Sequence, residues 1–386
     1  AHPSRGKPLL FHVLNRFGFV GIAISSLAGT VLFLGSLFGS AGVDLTATPV
    51  QVALYALLGG AAATCMVRGV RLSTRVGLVL EVVSITAILA VIAVVLSRSG
   101  LSAAPLHPEG GVTASGVALG MVLAILGFVG FESAGSLGAE ARDPQRMVPR
   151  AVLGSAAFAG LLYLLSAYTQ LVGFDGDTQA LSTSASALNT LAVSAGVSTL
   201  GYVVDAGAAL SFFACVTASL NAAGRTVFAM GRHDLVGRRL GDAHARHRTP
   251  HVALYALTAV AGAVPITLTL SGLTALEVLA YAGTVGTFGY MLAYLLVSVA
   301  SPAFLRRSGE RWMLTALVGV AAASGMAYVF YRSVWPRPAA PYDVLPYVFL
   351  ALLVPAVARY ALVRRRAARA VSPLHAPQPV PVGDRA

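Results

Sequence analysis

Long apolar segments, separated by short polar ones, recur along the whole chain. Stretches without a charged residue include 17–43, 45–67, 151–174, 206–224, 278–305 and 312–331. An apolar run of about 20 residues is long enough to cross the hydrocarbon core of a bilayer as a helix. The pattern therefore predicts an all-α polytopic membrane protein, because a soluble protein has no core large enough to bury so many such helices.

These segments predict ten membrane spans and one transmembrane domain over residues 17–363. The spans are approximately 17–40, 48–67, 76–97, 115–139, 151–172, 197–228, 251–271, 276–300, 312–331 and 344–363. Pro149 is expected to start the fifth helix, because the first residue of a helix needs no amide donor. Residues 1–16 are expected to form a cytoplasmic N-terminal segment. Residues 364–386 are expected to form a basic, Pro-rich disordered tail.

Composition agrees with a membrane protein, and the charge pattern gives its orientation. Hydrophobic residues make up 56% of the chain and charged residues 11%, whereas soluble domains carry about 25% charged residues. The net charge of +12 raises the question of nucleic-acid binding. If alternate loops lie inside, only Arg98, Arg332 and Arg337 of the 27 Lys and Arg fall outside. This positive-inside pattern predicts a plasma-membrane protein with both termini cytoplasmic and no nucleic-acid partner.

Ionisable residues inside spans are costly and usually face a cavity or a partner. Glu277 and Asp205 lie near the outer ends of their spans, where contact with water explains them. Glu81 lies near the inner end of its span, close in sequence to Arg71 and Arg75. A structural ion pair at the membrane interface is the interpretation we favour for Glu81.

Glycines and Glu132 interrupt the fourth span, in the segment GFVGFESAGSLGAE at 127–140. A glycine inside a helix is less favourable than alanine by about 1 kcal/mol, so Gly127 and Gly130 favour local unwinding. Unwound backbone at membrane depth lines a cavity, and its carbonyls bind cations. Alternatively, the glycines form a packing face against a neighbouring helix. Glu132 is either a proton-sensitive carboxylate or a structural acceptor for the freed amides.

Four further segments have recognisable patterns. They are GFVGFESAGSLGAEARDPQRMVPRAV at 127–152, SLNAAGRTVFAMGRHDL at 219–235 with RTPHVAL at 248–254, RGVRLSTRVGLVLE at 68–81 and GTVGTFGYMLAYLL at 283–296. In the right order, they resemble parts of the amino acid permeases of the amino acid–polyamine–organocation (APC) family. The first resembles the sixth helix and its loop, the second the eighth helix and its loop, the third the loop into the fifth helix and the fourth the tenth helix.

The resemblance implies a LeuT-type fold of two inverted five-helix repeats, with substrate bound where the first and sixth helices unwind. The ten spans match family helices three to twelve, and the first two family helices have no counterpart. The implied function is secondary active transport of amino acids or related amines by alternating access, coupled to protons or by exchange. The alternatives are a non-transporting sensor or subunit, and an inactive truncated permease. This chain alone is expected not to transport.

The resemblance also implies the site residues. The substrate ammonium is expected on the carbonyls of the interrupted helix, beside Glu132 as the proton-coupling candidate. Phe128 and Phe131 either cover the substrate or face the core or lipid. Thr217 and Ser219 either complete a sodium site or bond their own helix backbone. The candidate substrate-binding residues are Leu126, Gly127, Phe128, Val129, Gly130 and Phe131.

Other chemistry has little support in the sequence. His244, His247 and His251 have metal-like spacing in HARHRTPH, but the interleaved arginines favour a basic cytoplasmic loop. No phosphate-binding loop, GxSxG or HExxH motif is found, so we expect neither an enzyme nor a cofactor or metal site. The expected partners are a small-molecule substrate and the lipid bilayer, and the oligomeric state is not predicted.

Overall fold

A computed structural model describes residues 7–69, 74–103, 113–130, 142–232, 236–247, 249–307 and 312–371. The described residues form α-helices and one short 3-10 helix at Arg238–Gly241. The α-helices are α1 Lys7–Gly39, α2 Thr48–Arg68, α3 Thr74–Ser99, α4 Ala114–Phe128, α5 Pro144–Gly173, α6 Thr178–Thr183, α7 Ala187–Ser194, α8 Ser198–Arg232, α9 His251–Leu270, α10 Ala275–Arg307, α11 Met313–Arg332 and α12 Leu345–Val371.

Each predicted span corresponds to one of these helices. Eight helices of the described part are long and apolar enough to cross a membrane. The other two spans correspond to α4 and α12, whose apolar segments are shorter, at Gly116–Phe128 and Leu345–Ala358. The predicted all-α, polytopic membrane fold is confirmed.

Several helix boundaries differ from the sequence prediction. Helix α5 begins at Pro144 rather than at Pro149, which lies inside the helix. The helix starts there because the Asp143 carbonyl accepts its first backbone hydrogen bonds, one of them from the Met147 amide at 2.9 Å. Helix α12 continues through Val371, so the backbone of 364–369 is helical rather than part of a disordered tail. Arginine and alanine, which make up this segment, are strong helix formers.

The sequence analysis did not predict the two short helices between α5 and α8. They contain six and eight residues, too few for a clear apolar period. Helix α6 starts at an aspartate cap, where Asp177 accepts a hydrogen bond from the Ala180 amide at 2.9 Å. Helix α7 packs against α8, α3 and α5.

Helix α1 is the central element of the bundle and packs mainly against α10 and α8. Glycines of α1 allow close contact on both sides, with the backbone of α10 and with a side chain of α8. A Cβ added to Gly21 would lie 2.6 Å from the Gly286 Cα of α10, and one added to Gly29 would lie 2.7 Å from the Phe212 ring of α8. Small residues of this kind are typical of helix contacts inside membranes.

Loops that the sequence predicts on the same side of the membrane lie at the same end of the bundle. At one end, Thr249 Oγ1 donates to the Val67 carbonyl at 2.9 Å, which joins the loop before α9 to the end of α2. At the other end lies a cavity of about 380 Å³, whose lining includes Ser36, Thr46 and Thr183. This arrangement agrees with spans that alternate in direction.

The contact between α1 and α10 generates a stability prediction. Gly21→Ala is expected to destabilise the protein by about 1–3 kcal/mol, because the new methyl group overlaps the α10 backbone. The measurement is thermal unfolding of the purified protein in detergent.

Gly35→Ala is the matched control on the same helix. A Cβ at Gly35 meets no atom within 4 Å, so this change is expected to leave stability unchanged or raise it by up to about 1 kcal/mol. An equal effect of both substitutions would show that the α1–α10 contact is not tight.

Candidate functional site

Helix α4 ends within the glycine segment, where the sequence predicts an interruption. Its last residue is Phe128, and the Val129 amide donates at 3.2 Å to the carbonyl of Leu126, three residues earlier. Gly130 follows with φ +115°, in the region that favours glycine. Helix α4 therefore ends about 22 Å from its first residue, at 1.5 Å per residue, which is a depth within the membrane.

Phe131 and Glu132 lie outside the described residues. Their assignments as a substrate-binding residue and a proton-coupling candidate stay predictions.

A tyrosine from α5 occupies one carbonyl at the end of α4. The Tyr163 hydroxyl donates to the Gly127 carbonyl at 2.5 Å. The rings of Tyr163 and Phe128 meet edge to face, with centroids 5.3 Å apart. The sequence analysis missed Tyr163, and its available signal was a tyrosine within the apolar stretch GLLYLLSAY.

The other candidate residues on α4 make packing contacts. Phe128 also lies over Gly160 of α5, where an added Cβ would meet its ring at 3.4 Å. The Leu126 side chain packs on Gly283 of α10, where an added Cβ would lie 2.5 Å from Leu126 Cδ2. In α1, the Ser25 hydroxyl donates to the Leu279 carbonyl at 2.8 Å. The same hydroxyl would also contact a Cβ added to Gly283. These contacts hold the end of α4 against α5 and α10.

The structure does not bring the two sodium-site candidates to the end of α4. Thr217 and Ser219 lie on α8, which packs on α1, α2, α3, α7 and α9, whereas the described part of α4 packs on α5, α10 and α11. Thr217 Oγ1 donates to the Ala214 carbonyl of its own helix at 2.8 Å. This supports the alternative in which the Thr217 hydroxyl bonds the backbone of its own helix.

Asp205 is buried in the bundle, whereas the sequence analysis expected it to contact water. Asp205 is 0% exposed, because α7 covers this part of α8. Ser186 Oγ donates to Asp205 Oδ1 at 2.6 Å, and Asn189 Nδ2 donates to Asp205 Oδ2 at 2.5 Å. The same amide nitrogen lies 3.3 Å from the hydroxyls of Ser36 and Ser40 on and after α1. The buried carboxylate thus links the connection between α5 and α8 to the bundle.

Glu81 also has a partner that its sequence neighbours did not suggest. Ser211 Oγ on α8 donates to Glu81 Oε2 at 2.9 Å. The expected partners, Arg71 and the side chain of Arg75, lie outside the described part of the chain. The described contact is therefore a hydrogen bond between helices.

The three histidines of HARHRTPH do come together. The ring of His244 lies 4.8 Å from that of His247 and 5.2 Å from that of His251, measured between centroids. His244 Nδ1 accepts hydrogen bonds from the amides of Arg246 and His247, both at 3.2 Å. Removal from water lowers the pKa of His244, and its positive neighbours lower it further. His244 thus closes a turn in the loop before α9.

Comparison with known proteins places this architecture in a family. Residues 6–355 match the amino acid permease family model. The chain belongs to the amino acid permease family. The expected family resemblance is confirmed, and the match supports a transporter in the membrane rather than an enzyme.

Individual relatives of this permease are distant. It is 26% identical to the branched-chain amino acid permease BcaP of Bacillus subtilis, over 68% of this chain and 54% of that protein. It is also 26% identical to BcaP of Lactococcus lactis, over 63% of this chain and 51% of that protein. An uncharacterized transporter of Mycobacterium tuberculosis is 26% identical over 82% of this chain and 67% of that protein. The chain thus spans about half the length of the two BcaP relatives.

The buried Asp205 network generates the prediction of this section. Asp205→Asn is expected to destabilise the permease by about 1–3 kcal/mol, because an amide keeps one acceptor oxygen in place of two and hydrogen bonds to a neutral acceptor are weaker than those to a carboxylate. Thermal unfolding in detergent measures the effect.

Asp242→Asn is the control, since Asp242 is exposed in the loop before α9. Equal melting temperatures for Asp205→Asn and the unchanged permease would contradict the structural role of the network.

Proposed function

We propose that this permease is a secondary active transporter of amino acids or related amines, which works by alternating access. The observation that carries the proposal is the end of α4 at Phe128, inside a membrane-spanning member of the amino acid permease family. Carbonyl oxygens at a helix end carry partial negative charge and attract cations. The substrate ammonium binds these carbonyls, and the remaining contacts come from Val129 and Gly130.

The direction of the chain in the membrane is part of the proposal. Both ends of this chain lie on the cytoplasmic side of the plasma membrane, because the basic loops then lie inside. Exchange or proton coupling supplies the driving force, and Glu132 is the proton-coupling candidate in the segment after α4. Glu132→Gln is then expected to weaken the pH dependence of uptake.

The proposal is tested with the protein produced from its native gene and reconstituted into proteoliposomes. Because two relatives are named branched-chain amino acid permeases, radiolabelled leucine, isoleucine and valine are the first substrates. A transporter shows saturable uptake that unlabelled substrate competes with. Specific binding without flux would instead indicate a sensor, and neither binding nor flux with a broad amino acid and amine panel would refute the proposal.

The Tyr163–Gly127 contact gives a sharper test of the site. A carbonyl oxygen has two lone pairs, so Gly127 can accept the Tyr163 hydroxyl and a substrate ammonium together. The hydroxyl fixes the direction of the carbonyl. Tyr163→Phe is therefore expected to raise the KM for uptake about 2- to 10-fold, equivalent to one lost neutral hydrogen bond.

Tyr168→Phe is the matched control on α5. The Tyr168 hydroxyl bonds the backbone of Ser102, in the loop after α3. This change is expected to leave KM unaltered. An unchanged KM in folded Tyr163→Phe protein would argue against substrate binding at the Gly127 carbonyl.

A further inference from the structure

The cavity of about 380 Å³ at the end of the bundle opposite Thr249 is called here the Gln51 cavity. Its walls come from the end of α1, the starts of α2 and α10, the ends of α6 and α9, and the loops beside them. Sites for small molecules have volumes of about 300–1,000 Å³. The lining includes no residue of α4, so this cavity is separate from the site proposed at the Gly127 carbonyl.

Two buried polar side chains of the cavity wall have unused hydrogen-bonding groups. Gln51, in the first turn of α2, is 9% exposed and lines the cavity. Within the described residues, its side-chain amide makes no hydrogen bond. Thr269, near the end of α9, also lines the cavity and is 3% exposed, and its hydroxyl has no partner among those residues. Buried polar groups normally have partners, and a molecule in the cavity would supply one to Gln51.

Two carboxylates lie beside the cavity and give it a negative charge. Asp44 accepts hydrogen bonds at 2.6 Å and 2.7 Å from the hydroxyl and the amide of Thr46, which lines the cavity. Glu277 accepts hydrogen bonds at 2.8 Å from both the hydroxyl and the amide of Thr274, which also lines it. The hydrogen bonds from Thr46 lower the pKa of Asp44, so this carboxylate is charged at neutral pH. No Lys, Arg or His is among the described residues of the lining.

The lining also contains apolar side chains, which limit the kind of molecule that fits. Among them are Val31 and Leu32 of α1, and Leu273 in the loop before α10. They can contact the apolar body of a ligand, whereas the two carboxylates repel an anion. An ammonium group has three donors and no acceptor, so it matches an amide oxygen close to negative charge.

We propose that the Gln51 cavity is a second binding site of this permease, for a small primary ammonium compound with an apolar body. The ammonium group donates to the side-chain oxygen of Gln51, and the charges of Asp44 and Glu277 attract it to the cavity. The apolar body packs on Val31 and Leu273. This site does not depend on the proposed transport function, and the proposed orientation of the chain places it on the outer side of the membrane.

The test is a binding measurement with 3-methylbutylamine on the native-gene protein in detergent. Saturation-transfer NMR titrations give the Kd, and empty micelles give the background. Saturable binding of the amine is expected, with weaker binding of 3-methyl-1-butanol, which has the same apolar body and no charge. Equal Kd values for the amine and the alcohol would overturn the proposal.

Gln51→Met keeps the length of the side chain and removes its amide. The Kd of the amine is expected to rise about 2- to 10-fold, equivalent to one lost hydrogen bond. Gln170→Met is the matched control, because α5 contributes no residue to the lining. Equal Kd values for these two variants, both with unchanged melting temperatures, would contradict the contact with Gln51.

The two carboxylates are tested by removing their charges. Asp44→Asn and Glu277→Gln are each expected to raise the Kd about 2- to 5-fold, as for other exposed charge pairs, and to weaken its dependence on salt. Glutamine can replace Glu277 in the cap of α10 without loss of the cap. Asp175→Asn is the control, since Asp175 is exposed at the same end of the bundle and does not line the cavity. Equal effects of all three changes would refute specific attraction by Asp44 and Glu277.

Two further measurements identify the site and the source of the ammonium group. Tyr163→Phe, at the end of α4, is expected to leave the Kd unaltered, and a rise equal to that of Gln51→Met would place the amine at the other site and overturn the proposal. The titration is then repeated in nanodiscs of phosphatidylcholine and of phosphatidylethanolamine. Equal Kd values identify free amines as the ligands, whereas a higher Kd in phosphatidylethanolamine that Gln51→Met abolishes identifies the lipid headgroup at the same ammonium site. Absence of uptake in proteoliposomes, with this binding present, would refute only the transport proposal.

Discussion

The need to satisfy backbone polar groups inside a membrane governs this structure. A regular helix pairs its own amides and carbonyls, so any interruption at membrane depth must find other partners. Helix α4 stops at Phe128, and the Gly127 carbonyl finds the Tyr163 hydroxyl of α5. That solution leaves the carbonyl a second lone pair. The proposed contact with a substrate ammonium uses this second lone pair.

Carboxylates inside the spans meet the same constraint in two ways. Asp205 is fully buried and receives hydrogen bonds from Ser186 and Asn189. Its donors are fixed by packing, so it holds the connection before α8 in place. Glu81 is exposed and meets only one described donor, Ser211. The difference in burial separates a carboxylate that packing holds inside the bundle from one that lies on its surface.

The sequence predicts what depends on local pattern. Apolar length identifies the spans, and Gly127 with Gly130 marks the end of α4. The partners of Asp205 and Glu81 could not be predicted, because they come from helices distant in sequence and their positions depend on packing. Sequence proximity suggested Arg71 and Arg75 for Glu81, whereas the described bond crosses to Ser211 of α8. Tyr163 was missed for the same reason: its role depends on the contact between α5 and α4.

Two routes connect α4 to α8, and they differ in stiffness. One runs through α10 and α1, where Gly21 and Gly286 bring the backbones into close contact. Close packing of this kind resists gradual deformation. The other route runs through α5 and α3 and includes two exposed hydrogen bonds, from Tyr163 to Gly127 and from Ser211 to Glu81. Each of them contributes only about 0.5–1.5 kcal/mol. A change in the position of α4 relative to α8 is therefore expected to break these two hydrogen bonds before it disturbs the contact between α1 and α10.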